Sequence, residues 1–148
     1  MKNFKNIIPL VVISFLMAAI TACTKDAGEG GTSTITGKVT VYNYNDNAFT
    51  YLEDTFPSVD EDVFIIYGDE STTFDDDVKT SYDGTYEFKY LQKGKYRIFA
   101  YSEDSTGRAS GTAGSFFRPD VPIFIDVEIT SKNQTVVGPD IFILTTQQ

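Results

Sequence analysis

The sequence contains no histidine and no tryptophan, and it has a single cysteine among its 148 residues. Without histidine, a Ser-His-Asp or Cys-His catalytic centre cannot form. Zinc, copper and haem sites lose their commonest ligand for the same reason. A lone cysteine cannot form a disulfide within the chain, and no G-x-G-x-x-G nucleotide-binding motif is present. We therefore expect a protein that is not an enzyme and holds no dissociable cofactor.

Basic residues are also scarce. The chain has 12 Lys and Arg against 21 Asp and Glu, which gives a formal net charge of −9. Such an acidic chain is a poor partner for nucleic acid and for electrostatic adhesion to anionic lipid. The length suits one domain that buries a single core.

The first residues have the pattern of a targeting segment. Lys2 and Lys5 are the only charges before an uncharged run that extends from Ile7 to Ile20. This run has the length of a signal-peptide core and is too short to cross the ~30 Å hydrocarbon layer of a membrane as a helix. We predict a signal peptide rather than a membrane span.

The end of this run is Ile20-Thr21-Ala22-Cys23. It resembles the lipobox of bacterial lipoproteins, in which an aliphatic residue and two small residues precede the modified cysteine. The resemblance implies that the leader is cut before Cys23 and that Cys23 carries a diacylglyceryl group with further acylation of its amine. Two or more acyl chains anchor a protein stably. The alternative is that Cys23 is an unmodified, buried thiol.

The resemblance divides the chain into a lipoprotein signal peptide (1–22), a lipid-anchored flexible tether (23–34) and a folded domain (35–148). It implies a place in the cell envelope, anchored by lipid to the outer membrane on its periplasmic or its surface-exposed face. Removal of the leader takes two lysines and no acid, so the net charge becomes −11. Lys25, Asp26 and Glu29 loosely resemble a surface-export signal, and a plain solvated linker explains them equally well.

After the tether, apolar residues alternate with polar ones in the pattern of β-strands. Ile35, Val39 and Val41 share one strand face with Gly37. The later candidate strands are Val63–Tyr67, a weaker one at 77–82, Tyr86–Tyr90, 95–102, Val121–Thr130 and Asp140–Leu144. Asp83-Gly84 predicts a hairpin turn. About seven short strands without an amphipathic helix predict an all-β fold, a single antiparallel sandwich. The segments 43–62 and 102–120 interrupt the rhythm and are predicted to be long loops.

Several motifs within residues 35–102 resemble the carboxypeptidase regulatory-like or transthyretin-like β-sandwich family. They are Gly37-Lys38-Val39, Asp62-Val63-Phe64-Ile65-Ile66, Thr80-Ser81-Tyr82, the D-G-x-Y-x-F motif from Asp83 to Phe88 and the L-x-x-G-x-Y motif from Leu91 to Tyr96. The two long loops depart from the family pattern. The resemblance implies a structural or interaction module without catalytic residues, of a kind found in surface or outer-membrane proteins.

Carboxylates are the only abundant reactive groups. Acidic clusters occur at Asp60-Glu61-Asp62, Asp69-Glu70 and Asp75-Asp76-Asp77. A carboxylate pair could hydrolyse a glycoside, and Asp75, Asp76 and Asp77 are the candidate ligands for a calcium ion, which prefers oxygen. The D-x-D-x-D-G loop is absent, so an acidic rim that keeps sheet edges from pairing is the favoured interpretation.

Phe116, Phe117 and Arg118 close the second long loop. They form a candidate partner-binding tip, because aromatic residues and arginine are enriched at interfaces. The alternative is that both rings cover the open end of the sandwich. Two functions follow: an accessory lipoprotein that binds a neighbouring envelope protein, or a surface glycan-binding protein or adhesin, which the 12 Phe and 9 Tyr residues suggest.

Overall fold

The computed structural model describes residues 27–46, 48–68, 71–107 and 119–146. These residues form nine strands and no helix. The strands are β1 (Glu29–Tyr44), β2 (Leu52–Pro57), β3 (Asp62–Tyr67), β4 (Asp76–Lys79), β5 (Thr85–Leu91), β6 (Gly94–Glu103), β7 (Asp120–Ile129), β8 (Thr135–Val137) and β9 (Ile141–Thr146). Within these ranges no helix is long and apolar enough to cross a membrane.

The first sheet is built around the 16 residues of β1. The first half of β1 pairs with β5 and, in parallel, with β8, and its second half pairs with β2 and, in parallel, with β9. The second sheet has the order β4-β3-β6-β7 and is antiparallel throughout. Residues that alternate toward the space between the sheets form one core. They are Ile35, Val39, Val41, Val63, Ile65, Tyr86, Phe88, Leu91, Tyr96, Ile98, Ala100, Val127, Ile129, Ile141 and Ile143.

The predicted all-β class and sandwich of antiparallel sheets are confirmed, with nine strands in place of about seven and with β8 and β9 added to β1 in parallel. The two additional strands are β2 and β8. All six residues of β2 are exposed, so no apolar alternation marks it, and β8 has only three residues. Periodicity detects strands that bury one face, and neither of these does.

Three connections differ from the prediction. The segment 43–62 is not a loop throughout, because it contains the end of β1 and all of β2. Residues 29–34, assigned to the tether, form the start of β1. The turn at Asp83-Gly84 exists, with φ +79° at Gly84, but it joins β4 in one sheet to β5 in the other and is not a hairpin.

The sequence does not predict the start of β1, because its small polar residues show no alternation of apolar and polar side chains. Backbone and hydroxyl contacts hold it instead. Ser33 is 1% exposed, and its hydroxyl donates to the Ser131 carbonyl at 3.1 Å and accepts from the Gln134 N–H at 3.1 Å. Gly31 passes so close to the Leu91 carbonyl that a Cβ atom would lie 1.8 Å from its oxygen.

The free edge of β2 is protected against a further strand. The Ser58 N–H donates to the Val39 carbonyl at 3.0 Å. Because hydrogen-bonded and non-hydrogen-bonded pairs alternate along an antiparallel ladder, the pairs of Thr40 with Pro57 and of Tyr42 with Thr55 are not hydrogen-bonded. The backbone groups of Thr55 and Pro57 therefore point away from β1, toward the open edge. Pro57 has no N–H, and the Thr55 N–H donates to its neighbour's carboxylate, Asp54 Oδ1, at 2.7 Å. This edge is therefore a poor template for sheet extension.

Candidate functional site

A row of aromatic side chains crosses the outer face of the second sheet. Because Phe64 pairs with Phe99 and Phe99 pairs with Phe124, the three rings lie side by side on β3, β6 and β7. Tyr101 lies two residues further along β6 on the same face, and Phe74 reaches this face from the segment between β3 and β4. We call these five residues the aromatic face.

The rings of the aromatic face are in mutual contact at varied angles. Phe64 stacks on Phe99 with centroids 5.0 Å apart and an interplanar angle of 20°. The centroids of the Phe64 and Phe74 rings are 4.8 Å apart, with an interplanar angle of 55°. The Tyr101 ring is nearly perpendicular to the Phe64 ring. The Phe99 and Phe124 rings are 5.1 Å apart at 58°. The surface is therefore corrugated rather than flat.

Exposure within the aromatic face differs from ring to ring. Phe99 is 5% exposed, although it faces away from the core between the sheets. The rings of Phe64, Tyr101 and Phe124 contact it. Three rings of the aromatic face remain open to solvent: Phe74 is 47% exposed, Tyr101 43% and Phe124 49%. A contiguous apolar patch of this kind marks an interaction surface more often than isolated exposed residues do.

An ion pair borders the aromatic face. Arg97 Nε donates to Asp126 Oδ1 at 2.8 Å, and the Arg97 guanidinium lies 5.5 Å from the centre of the Phe124 ring. The hydrogen bond from Arg97 lowers the pKa of Asp126 below its usual value. A cavity of about 340 Å³ adjoins this pair. Its lining residues are Gly68, Lys95, Tyr96, Arg97, Asp126, Val127 and Glu128.

The structure does not bring Asp75, Asp76 and Asp77 into one metal site. Asp76 and Asp77 are successive residues of β4 and point to opposite faces of the strand. Asp75 Oδ2 instead accepts a hydrogen bond from the Tyr67 N–H at 2.8 Å. Across the described ranges, no group of three or more Asp, Glu, His or Cys residues is arranged to hold a metal ion.

The cluster Asp60-Glu61-Asp62 is engaged in structural contacts. Lys79 Nζ lies 2.9 Å from the Asp62 carboxylate and 3.7 Å from that of Asp60. Burial raises the pKa of Glu61, whose carboxylate accepts a hydrogen bond from the Ser58 hydroxyl at 3.2 Å. The ion pair of Lys79 with Asp62 joins the start of β3 to the end of β4, so it lies within the second sheet.

The remaining candidates lie outside the described residues. They are the lipobox residues Ile20, Thr21 and Ala22, the lipid-attachment residue Cys23, and the tip residues Phe116, Phe117 and Arg118. The predicted signal peptide (1–22) and Asp69-Glu70 also lie outside them. The predictions for these residues stay predictions.

The sequence alone does not predict the aromatic face, although it carries one sign of it. The candidate strand Val63–Tyr67 is apolar on both faces, which is typical of a central strand or one covered on both sides, and β3 lies inside the second sheet. Phe64, Phe99 and Phe124 occupy positions that are out of phase with the core-facing residues of their strands. Only the register between strands shows that these positions are adjacent.

Comparison with known proteins gives several distant structural matches. No family model matches the chain, and no curated protein matches it. A crystal structure of a "putative carbohydrate binding protein" from Pseudomonas aeruginosa aligns with a TM-score of 0.44 and 10% identity, over 89% of this chain and 96% of that one. (S)-allantoin synthase aligns with a TM-score of 0.36 and 12% identity, over 80% of this chain and 42% of that one. Likeness at this level carries no inference about function.

Proposed function

We propose that the protein is an envelope lipoprotein whose sandwich domain acts as a non-catalytic accessory module and binds a neighbouring envelope protein through the aromatic face. The observation that carries the proposal is the contiguous patch of five rings, three of which are nearly half exposed. The lipobox from Ile20 to Cys23 supports the membrane attachment.

The shape and chemistry of the aromatic face favour a protein as the ligand. Its rings are tilted against one another, so they offer clefts for apolar side chains more readily than a flat platform for stacked sugars. Four of the five residues are phenylalanine, which cannot hydrogen-bond a hydroxyl. Single-stranded nucleic acid also stacks on aromatic rings but requires a basic groove, which this acidic chain does not provide.

The charges beside the aromatic face define the matching surface further. Asp77 lies next to Phe64 in the sheet, and the Arg97–Asp126 ion pair lies on the other side, beside Phe124. A partner that fits this surface presents apolar side chains with a Lys or Arg opposite Asp77. Such charge complementarity increases the rate of association more than it increases affinity.

The test is capture of the lipidated protein from its own membrane in mild detergent, for wild type and for the double variant Phe74→Ser/Tyr101→Ser. We expect wild type to retain a stoichiometric partner, and the variant to lose it with at least about a tenfold fall in affinity, because exposed aromatic anchors dominate interface energies. Each truncation costs about 1 kcal/mol of stability, since half of the ring is buried. Melting curves then confirm that the variant is folded at the capture temperature.

The matched control is Tyr42→Ser/Phe142→Ser. These two rings are 5.2 Å apart on the outer side of the first sheet, and Phe142 is 45% exposed. The control removes a similar ring pair from the opposite side of the domain and should keep the partner. Equal retention by both double variants, or equal loss, would show that the aromatic face is not the binding surface.

Glycan binding is a second candidate, and the surroundings of Phe124 favour it. An exposed ring beside a charged cavity offers an apolar contact for a sugar face and hydrogen-bonding groups for its hydroxyls. Arg97 and Asp126 could supply these hydrogen-bonding groups. The pattern of one exposed ring with polar neighbours suits a single saccharide unit better than a long chain.

A glycan array probed with the lipid-free mature chain tests this candidate. If the Phe124 site binds a saccharide, we expect a specific hit that Phe124→Ala abolishes, because the ring supplies the apolar contact. The control Phe142→Ala alters a ring of similar exposure on the other sheet and should keep the hit. Absence of any hit would favour the accessory role, and a hit that survives Phe124→Ala would exclude this site.

A further inference from the structure

The start of the described chain is fixed onto the turn between β5 and β6. The Gly28 carbonyl accepts a hydrogen bond from the Gln92 N–H at 2.8 Å, and the Gly28 N–H donates to the Tyr96 hydroxyl at 3.1 Å. The same hydroxyl donates to the Gln92 carbonyl at 2.7 Å. Ala27 packs against Gly94, where an added Cβ would lie 2.7 Å from the Ala27 Cβ. The chain therefore enters the domain at one defined end of the sandwich.

A groove of about 610 Å³ opens at this same end. It lies between the start of β1, the β5–β6 turn and the turn between β7 and β8. Its lining residues are Gly30, Gly31, Thr32, Ser33, Leu91, Gln92, Lys93, Gly94, Glu128, Ile129, Thr130 and Lys132. We call it the anchor-end groove.

The anchor-end groove is locally basic in an acidic protein. Its lining contains Lys93 and Lys132 against the single acid Glu128, whereas the whole chain has a net charge of −9. Neither lysine forms an ion pair with any residue that the structure describes. In contrast, Lys38, Lys79, Lys89 and Arg97 are all paired with carboxylates.

A buried acceptor also lines the groove. Gln92 Oε1 is shielded from solvent and has no hydrogen-bond partner among the described residues, while Gln92 Nε2 donates to the Glu29 carbonyl. A buried carbonyl oxygen without a donor costs free energy that a hydroxyl group can recover. The groove thus combines two cations, which suit a phosphate, with an acceptor, which suits a hydroxyl.

The position of the groove suggests the source of such a ligand. Only residues 24–27 separate Cys23 from Gly28, so the two Cα atoms can be at most about 18 Å apart. If Cys23 carries lipid, as the proposed function holds, the groove lies within reach of the headgroups around its own anchor. Lysines near an anionic leaflet are attracted to its headgroups.

We infer that the anchor-end groove binds the glycerol-phosphate headgroup of an anionic phospholipid in the leaflet that holds Cys23. Lys93 and Lys132 contact the phosphate, and the Gln92 side chain, whose Oε1 is shielded in the free protein, rotates to accept a hydrogen bond from a glycerol hydroxyl. This inference rests on the proposed lipid anchor. It gives the domain a fixed orientation, with the β5–β6 and β7–β8 turns against the membrane and the aromatic face directed sideways toward neighbouring proteins.

The test is amide hydrogen exchange of the lipidated full-length mature protein in vesicles of phosphatidylcholine, with and without phosphatidylglycerol. With phosphatidylglycerol we expect exchange about threefold or more slower at residues 28–33 and 91–94, because a bound headgroup closes the groove over these amides. Lys93→Ser/Lys132→Ser should lose this difference. The matched control Lys38→Ser/Lys89→Ser removes the same charge from the outer side of the first sheet and should keep it.

Two further measurements make the outcomes distinct. Intact mass establishes whether Cys23 carries lipid, so that failure of the anchor is recognised separately from failure of the groove. Glycerol 1-phosphate added to phosphatidylcholine vesicles distinguishes a free phosphate from a headgroup: protection without the membrane lipid would assign the site to a soluble ligand. Lipidated protein with equal exchange in both vesicles, or a difference that survives Lys93→Ser/Lys132→Ser, would overturn the inference.

Discussion

Gly37→Ala is expected to lower the free energy of unfolding by about 1–3 kcal/mol, the cost of forcing an extra methyl group into a packed core. Gly37 lies on β1 directly opposite Tyr86 on β5. A Cβ atom added at Gly37 would lie 2.4 Å from the Tyr86 hydroxyl oxygen and 2.6 Å from the ring carbon that carries it. Tyr86 is 1% exposed and has no open space to enter.

The direction of this effect is informative because backbone propensity predicts the opposite. Alanine in the interior of a strand is more stable than glycine by roughly 0.5–1 kcal/mol, since glycine loses more conformational freedom on folding. Destabilisation by Gly37→Ala would therefore report the side-chain contact alone. Urea unfolding followed by circular dichroism measures the change.

Two companion variants control for this interpretation. Gly138→Ala also approaches the Tyr86 hydroxyl, but at 3.4 Å, and should cost far less than Gly37→Ala. Tyr86→Phe should be neutral or stabilising, because the hydroxyl is buried and has no hydrogen-bond partner among the described residues. Wild-type stability of Gly37→Ala would show that the Tyr86 ring does not lie across Gly37.

The same contact shows how far the sequence specified the fold. Gly37 belongs to the Gly37-Lys38-Val39 motif and Tyr86 to the D-G-x-Y-x-F motif, two separate parts of the transthyretin-like resemblance. The structure places these two residues opposite each other, where glycine leaves room for the tyrosine ring across the strand pair. Strands that bury one face, such as β6 and β7, were predicted to within one residue at each end. Local patterns sufficed wherever burial alternates with period two.

The features that the sequence did not predict depend on contacts distant along the chain. Glu29 and Gly31 belong to the sheet because they contact β5 and the turn after it. No local sequence pattern marks these two residues as part of a strand. The aromatic face requires the register of β3, β6 and β7 together. For the candidate calcium ligands, proximity along the chain does not create a common site: strand alternation turns Asp76 and Asp77 to opposite faces of β4, and the Asp75 carboxylate accepts a hydrogen bond from the Tyr67 N–H.

Cys23→Ser is expected to abolish membrane attachment, which would be an all-or-none change rather than a graded one. A single acyl chain binds membranes only marginally, with an association constant of about 10⁴ M⁻¹, whereas two or more chains anchor stably. Serine offers no thiol for the diacylglyceryl group, so the whole anchor is lost at once. Detergent phase partitioning and intact mass of the purified protein measure the change.

Intact mass shows whether Cys23 carries lipid or is unmodified, which detergent phase partitioning alone does not show. Wild type should carry the lipid and begin at Cys23, whereas Cys23→Ser should lack the lipid entirely. The neighbouring substitution Thr24→Ser lies outside the lipobox and should remain lipidated. A wild-type protein without added lipid, whose thiol reacts only after unfolding, would mean that Cys23 is a buried core residue. The lipid anchor would then be rejected, and the anchor-end groove would lose the constraint that places it against a membrane.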